Sequence, residues 1–326
     1  MKRSSSLFPL ALLSAAISVW LGVPGTLAAA DPSAQAKLTG QVTVHTGAIG
    51  GRQRRYILYT PGKLVPQPPL LFVFHGGGGD GPFVRDATGY EFDMLADANG
   101  FLVVYPDGIG RGWNSCRKGS DNDATRLHVD DVGFIEAIIA HEAVVHGIDK
   151  SRVFAAGHSF GGQMAYRFAL ERPSEFAGIA AISANLPAPG FNSCAPANAA
   201  VPVLIMNGTD DPVNPYRGGR TGRGTNESNT LSTEASAQYF VKLNGLGSMP
   251  EVARLPHRND SDPTWVERVS WSEPGKASVI LYTIHGGGHV VPQPYYRYPT
   301  ITGRQTQDLD APAVIWDFFS QLPPRQ

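Results

Sequence analysis

The sequence has no excess of charge of either sign. Its 27 Lys and Arg stand against 28 Asp and Glu, a formal charge of −1 over 326 residues. A protein that grips phosphate backbones needs clustered basic side chains, so nucleic acid is not an expected partner. Charged residues make up only 17% of the chain, which argues against a coiled coil or a charged helical bundle. Cysteine is nearly absent, with Cys116 and Cys194 alone. Neither has a CxxC partner or a His at ligand spacing, so no metal site is expected. The phosphate-cradling pattern G-x-x-x-x-G-K-S/T is missing as well. After the first 30 residues no apolar run is long enough to span a bilayer.

What is present is a hydrophobic fraction of 42%, with 37 Gly and 26 Pro. That composition excludes disorder and describes a loop-rich globular enzyme. Lys2 and Arg3 precede a mostly apolar stretch, Leu7 to Leu21, and Ala28-Ala29-Ala30 supplies small residues at cleavage spacing. Residues 1–30 therefore read as a secretory signal peptide; Pro9 and Pro24-Gly25 argue against a spanning helix. Loss of Lys2 and Arg3, with no acidic residue removed, takes the charge to −3 over 296 residues. The product is expected to be exported, extracellular or periplasmic, with no membrane insertion. In that compartment Cys116 and Cys194 are expected to form a disulfide. Closing so long a loop is worth about 4 kcal/mol on the chain-entropy model.

The rest of the chain alternates strands and helices. Val42–His45 and Tyr56–Thr60 alternate apolar and polar, as half-buried strands do. Leu70–Phe74, Phe101–Tyr105, Arg152–Ala156, Ile179–Ser183 and Val201–Met206 are runs suited to strands covered on both faces. Helices are expected over Tyr90–Ala98, from Asp130 to His146, and over Gly162–Glu171, Ser232–Leu243 and Ala313–Leu322. Val266–Trp271 and Ser278–Ile284 read as a strand pair across Pro274-Gly275. Repeated βα units imply an α/β fold, a mostly parallel central sheet flanked by helices. One catalytic domain, 31–326, is expected.

Gly157-His158-Ser159-Phe160-Gly161 matches G-x-S-x-G and lies between an expected strand and an expected helix. In that context the serine sits on a sharp turn, with its hydroxyl exposed at the helix N-terminus. A serine nucleophile needs a base, and the base needs an orienting acid. In this architecture both follow the serine. Asp210 and Asp211 lie on a loop after an expected strand. His289 follows Gly286-Gly287-Gly288 after another, and is preferred over His257 and His285. The oxyanion requires backbone N–H donors: Phe160, next to the nucleophile, and Gly77 within His75-Gly76-Gly77-Gly78-Gly79, with Gly76 or Gly78 as substitutes.

These pieces, with Val103–Gly108, Gly112-Trp113-Asn114, Val129–Phe134, Gly208–Tyr216 and Gly287-Gly288-His289, give the chain its resemblance. It resembles the secreted polyhydroxybutyrate depolymerase-like esterases of the α/β-hydrolase fold, which include feruloyl and acetylxylan esterases. The resemblance implies a cofactor-free extracellular ester hydrolase and selects Asp211 as the acid. Trp113 lies in a loop after another strand end, where ligands bind, and is a candidate substrate contact together with His75, His158 and Val291. Three departures stand out: Asn207 where the family often has His, Val291 where it commonly has Trp, and the arginines of the 217–224 loop. The expected substrates are carboxylic esters, hydroxyalkanoate oligomers first and feruloyl or acetyl esters of plant polysaccharide second. A serine peptidase and a non-catalytic polymer-binding module are the competing readings. Asp130 and Asp131, before an apolar helix, are expected to cap it.

Overall fold

The computed structural model describes residues 21–24, 38–221 and 228–325. Of the expected leader, only Leu21–Pro24 falls within them; the cleavage point after Ala30 lies outside. The strands are β1 (Leu21–Pro24), β2 (Gln41–Ile49), β3 (Arg52–Thr60), β4 (Leu70–Phe74), β5 (Leu102–Pro106), β6 (Val153–His158), β7 (Gly178–Ile182) and β8 (Val203–Gly208). A short pair follows, β9 (Gly219–Arg220) and β10 (Asn229–Thr230), then β11 (Glu251–Arg254), β12 (Trp265–Trp271) and β13 (Val279–His285). Eleven of them form one sheet in the order β1-β2-β3-β5-β4-β6-β7-β8-β13-β12-β11. The run from β5 to β13 is parallel throughout, and both wings are antiparallel.

The central strands explain the layering. Every residue of β4 is buried; Leu70, Phe72 and Phe74 enter one core cluster, Leu71 and Val73 the other. Side chains alternate faces along a strand, so an unbroken apolar run means both faces are covered. On the first face lie helices α3 (Asp131–Val145), α4 (Phe160–Glu171) and α5 (Thr233–Leu243). On the second lie α1 (Gly81–Ala87), α2 (Glu91–Asn99) and α6 (Ala311–Ser320).

Helix boundaries follow from caps. Asp130 caps α3 by accepting from Gly133 N at 2.8 Å, and Ser232 caps α5 through Ala235 N at 3.1 Å. Asp131 does not act as a cap. It is fully buried, pairs with Arg54 at 2.6 Å and accepts from Asn114 N at 2.7 Å, tying α3 to the 112–117 loop. Asp310 caps α6, which begins at Ala311 rather than Ala313 because Pro312 is tolerated in a first turn. Helix α1 has no clear signal in the sequence: it is short and opens on Gly81-Pro82.

Parallel strands all leave the sheet at the same edge. The loops after β4, β6, β8 and β13, which hold Gly77, Ser159, Asp211 and His289, are therefore neighbours. At the opposite edge, Arg325 N donates to Ser151 O at 3.0 Å, just before β6.

Candidate active site

The turn after β6 holds Ser159 at φ 57° and ψ −118°, a backbone region unfavourable for a residue with a side chain. Such strain costs about 1–3 kcal/mol and must be held by its surroundings. Ser159 N donates to Ile182 O at 2.8 Å, and Ser159 O accepts from Gln163 N at 3.0 Å. The flanking glycines are required by contact: a Cβ at Gly157 would lie 2.2 Å from Gly161 backbone, and one at Gly161 would lie 2.1 Å from Phe74 O. The Ser159 side chain makes no capping bond to the helix it precedes.

After β8 the two aspartates separate. Asp211 is buried; its Oδ1 accepts from Val213 N and Asn214 N, each at 2.7 Å. Its Oδ2 lies 2.7 Å from His289 Nδ1. Asp210 is exposed and meets Thr209 Oγ1 at 3.1 Å. With Nδ1 engaged by a carboxylate, Nε2 is the His289 nitrogen left for proton exchange. The ring is backed by His158, with centroids 4.7 Å apart. Burial, and then the neighbouring His289, push the His158 imidazole well below its ordinary pKa, so it is neutral.

The glycine loop after β4 approaches the serine turn closely. A Cβ on Gly76 would sit 3.3 Å from Ser159 Cβ, and one on Gly77 would sit 3.0 Å from the Phe160 ring. Gly78 N is engaged by Arg111 O at 2.8 Å and Gly79 N by Gly76 O at 3.1 Å. Of the expected loop donors, Gly78 is thereby removed, leaving Gly76 and Gly77.

The expected substrate contacts need correction. Trp113, His75 and Val291 have no accessible surface, and His158 is buried. Trp113 packs edge-on against Phe74 and donates Nε1–H to His75 O at 2.9 Å. His75 Nε2 accepts from Gly108 N at 2.9 Å. These rings fill the underside of the glycine loop and hold it in place. Val291 belongs to the second core cluster, so its replacement of Trp alters packing below the site. Asn207 Nδ2 bonds Ala184 O, Asn185 Oδ1 and Thr233 Oγ1, which knits the strand ends behind the acid loop. His257 pairs with Asp308 at 2.8 Å and His285 stacks on Trp265, both apart from Asp211.

Cys116 and Cys194 form a disulfide with Cα atoms 4.9 Å apart. Ser193 N reinforces it by donating to Cys116 O at 2.7 Å. The 217–224 loop is described only as far as Thr221; Arg223 lies outside the described residues. Sequence reasoning missed Arg117. Its guanidinium lies 4.6 Å from the centre of the Phe160 ring, and Nη1 donates to Thr221 Oγ1 at 3.1 Å. It lines a cavity of about 40 Å³ with Ser159 and one of about 340 Å³ with Gly77 and Gly78. Its only sequence signal was adjacency to Cys116.

Among the described residues no group of His, Cys, Asp and Glu is placed to hold a metal ion, and no helix is long and apolar enough to cross a membrane.

Comparison with known proteins agrees with this architecture. Residues 69–225 match the family model of the alpha/beta hydrolase fold. A putative esterase, NocK, of Nocardia uniformis is 30% identical over 303 residues, covering 88% of this chain and 84% of the relative. A probable feruloyl esterase C of Aspergillus terreus is 31% identical over 317 residues, covering 95% and 99%. Feruloyl esterase D of Neurospora crassa is 26% identical, covering 97% and 96%.

Proposed function

The chain belongs to the feruloyl-esterase-like family of α/β hydrolases, and from that premise we propose that it is an exported serine esterase. It is a carboxylic ester hydrolase by family; the serine mechanism, the substrate and the export are the proposal. The observation that carries it is the Asp211–His289 pair at 2.7 Å on the same sheet edge as the strained Ser159 turn.

Ser159 Oγ attacks the ester carbonyl while His289 Nε2 takes its proton. Asp211 keeps Nδ1–H pointed away from the reaction and stabilises the imidazolium. The N–H groups of Phe160 and Gly77, with Gly76 the substitute, receive the developing oxyanion at the positive end of α4. The imidazolium then protonates the departing alcohol, and water releases the acyl group by the same route reversed. The relatives named as feruloyl esterases support feruloyl esters as first substrates, with acetyl esters of plant polysaccharide kept beside them. Hydroxyalkanoate oligomers stand second, favoured by the cationic Arg117 beside the serine.

Ser159→Ala is expected to abolish turnover of 4-nitrophenyl acetate and of methyl ferulate while leaving the circular dichroism spectrum unchanged. Retention of turnover would overturn the serine mechanism. A panel of methyl ferulate, acetylated xylan and hydroxybutyrate trimer ranks the substrates.

A further inference from the structure

Arg117 is buried to 93% of its surface in a place where a cation needs a reason to be. Taking a guanidinium out of water is costly unless a carboxylate meets it. The other ions lining the same 340 Å³ cavity have partners of opposite charge: Arg111 pairs with Asp80 at 3.1 Å, and Asp121 and Asp123 share the single Arg126. Arg117 has no carboxylate partner among the described residues; its contacts are the Thr221 hydroxyl and the Phe160 ring. Its Nε–H is buried with nothing to bond. Burial lowers its pKa to about 10, which still leaves it charged at neutral pH.

Its position is fixed from both sides. The Cys116–Cys194 bridge holds the preceding residue, and Lys118 N donates to Phe191 O at 2.8 Å just after it. The planar fork is thus held over the ring of the residue next to the nucleophile. A short ester seated on Ser159 has the Arg117–Phe160 wall beside it. The wider cavity bounded by Gly77, Gly78 and Phe160 gives room for one arm of that ester.

We propose that Arg117 recognises a free carboxylate on the substrate, so that of two otherwise matched esters the enzyme prefers the one bearing an acid group, as in monoesters of dicarboxylic acids and acylated hydroxyacids. The inference rests on the serine-esterase reading. A carboxylate arriving there gains a charge-assisted hydrogen bond from a guanidinium already held in place. It is also the carboxylate that Arg117 lacks among the described residues.

The test compares matched esters. Monomethyl adipate against methyl hexanoate places the carboxylate on the acyl side. The acetate ester of 3-hydroxybutyrate against sec-butyl acetate places it on the alcohol side. Wild-type kcat/KM is expected to favour the acid-bearing member of at least one pair by about 10- to 100-fold, the range of one charge-assisted bond. In Arg117→Gln the preference ratio is expected to collapse towards one, and Arg117→Lys is expected to keep part of it. Glutarate is expected to inhibit wild-type hydrolysis of methyl hexanoate competitively, and glutaramide is not. Wild-type turnover of the neutral esters with no preference in either pair overturns the inference but leaves the esterase reading intact. Equal losses on both members of a pair in Arg117→Gln also overturn it, since they would mark a structural arginine. Failure of the wild type on every ester overturns the reading beneath it.

Discussion

Asp210 and Asp211 are chemically identical and adjacent, yet one is exposed and the other is buried against His289 at 2.7 Å. Asp211→Asn should therefore lower kcat by about 10⁴, because an amide favours the wrong imidazole tautomer. Asp210→Asn should stay within about twofold, as most surface substitutions do. Steady-state kinetics on one chromogenic ester separates the two, and similar losses in both would reassign the acid. Residue types alone left this pair undecided; only the family pattern pointed to Asp211. Ser159 and His289 were legible because each stands at the end of a recognisable strand, where chain order and turn residues carry the meaning. Arg117 was not, because its significance comes from Phe160, brought near by the fold. Trp113 was misread for a related reason: a loop position says where the backbone runs but not which side of the loop its ring fills.

Among the elements, the contact between α2 and α6 contains an acid pair. Glu91, buried at the start of α2, hydrogen-bonds Asp310, the cap of α6. Burial, then that bond and the neighbouring charge, raise the Glu91 pKa to about 9. The folded state thus holds a proton that the unfolded chain, with a glutamate pKa near 4.3, releases. The resulting stability is fully present below about pH 4 and is lost as pH rises through 9. Wild-type melting temperature should fall between pH 5 and pH 9, and Glu91→Gln should flatten that fall. Equal pH slopes in the two proteins would remove the assignment. The buried strands were readable because unbroken apolar runs at regular intervals mark a parallel sheet. Helix α1 was not, because Gly81 and Pro82 conceal seven helical residues that Asp80 starts. In the sequence Asp131 reads as a cap, because a carboxylate before an apolar helix usually is one. Its Arg54 partner lies on β3, a tertiary contact that no local pattern reports.

At the scale of the whole molecule, one covalent tie links the loop after β5 to the loop after β7 across a sequence separation of 78. On the chain-entropy model it stabilises the fold by about 4 kcal/mol. Replacing both cysteines by serine should lower the denaturant midpoint accordingly. The same variant should also reduce discrimination between acid-bearing and neutral esters, because the bridge holds Arg117. An unchanged midpoint would mean that the bridge does not restrain the unfolded chain. The alternation of strands and helices made the α/β architecture readable in advance, whereas the antiparallel β11 and the full length of β2 became visible only through pairing with neighbours.

The bond between Arg325 and Ser151 carries a practical consequence. Ser151 precedes β6 and Ser159 follows it, so six extended residues, about 20 Å, separate the last described turn from the serine. An affinity handle, a fluorescent reporter or a surface anchor joined after Arg325 would leave from the face turned away from incoming ester. Immobilised through that end, the molecule would present its reactive edge outward.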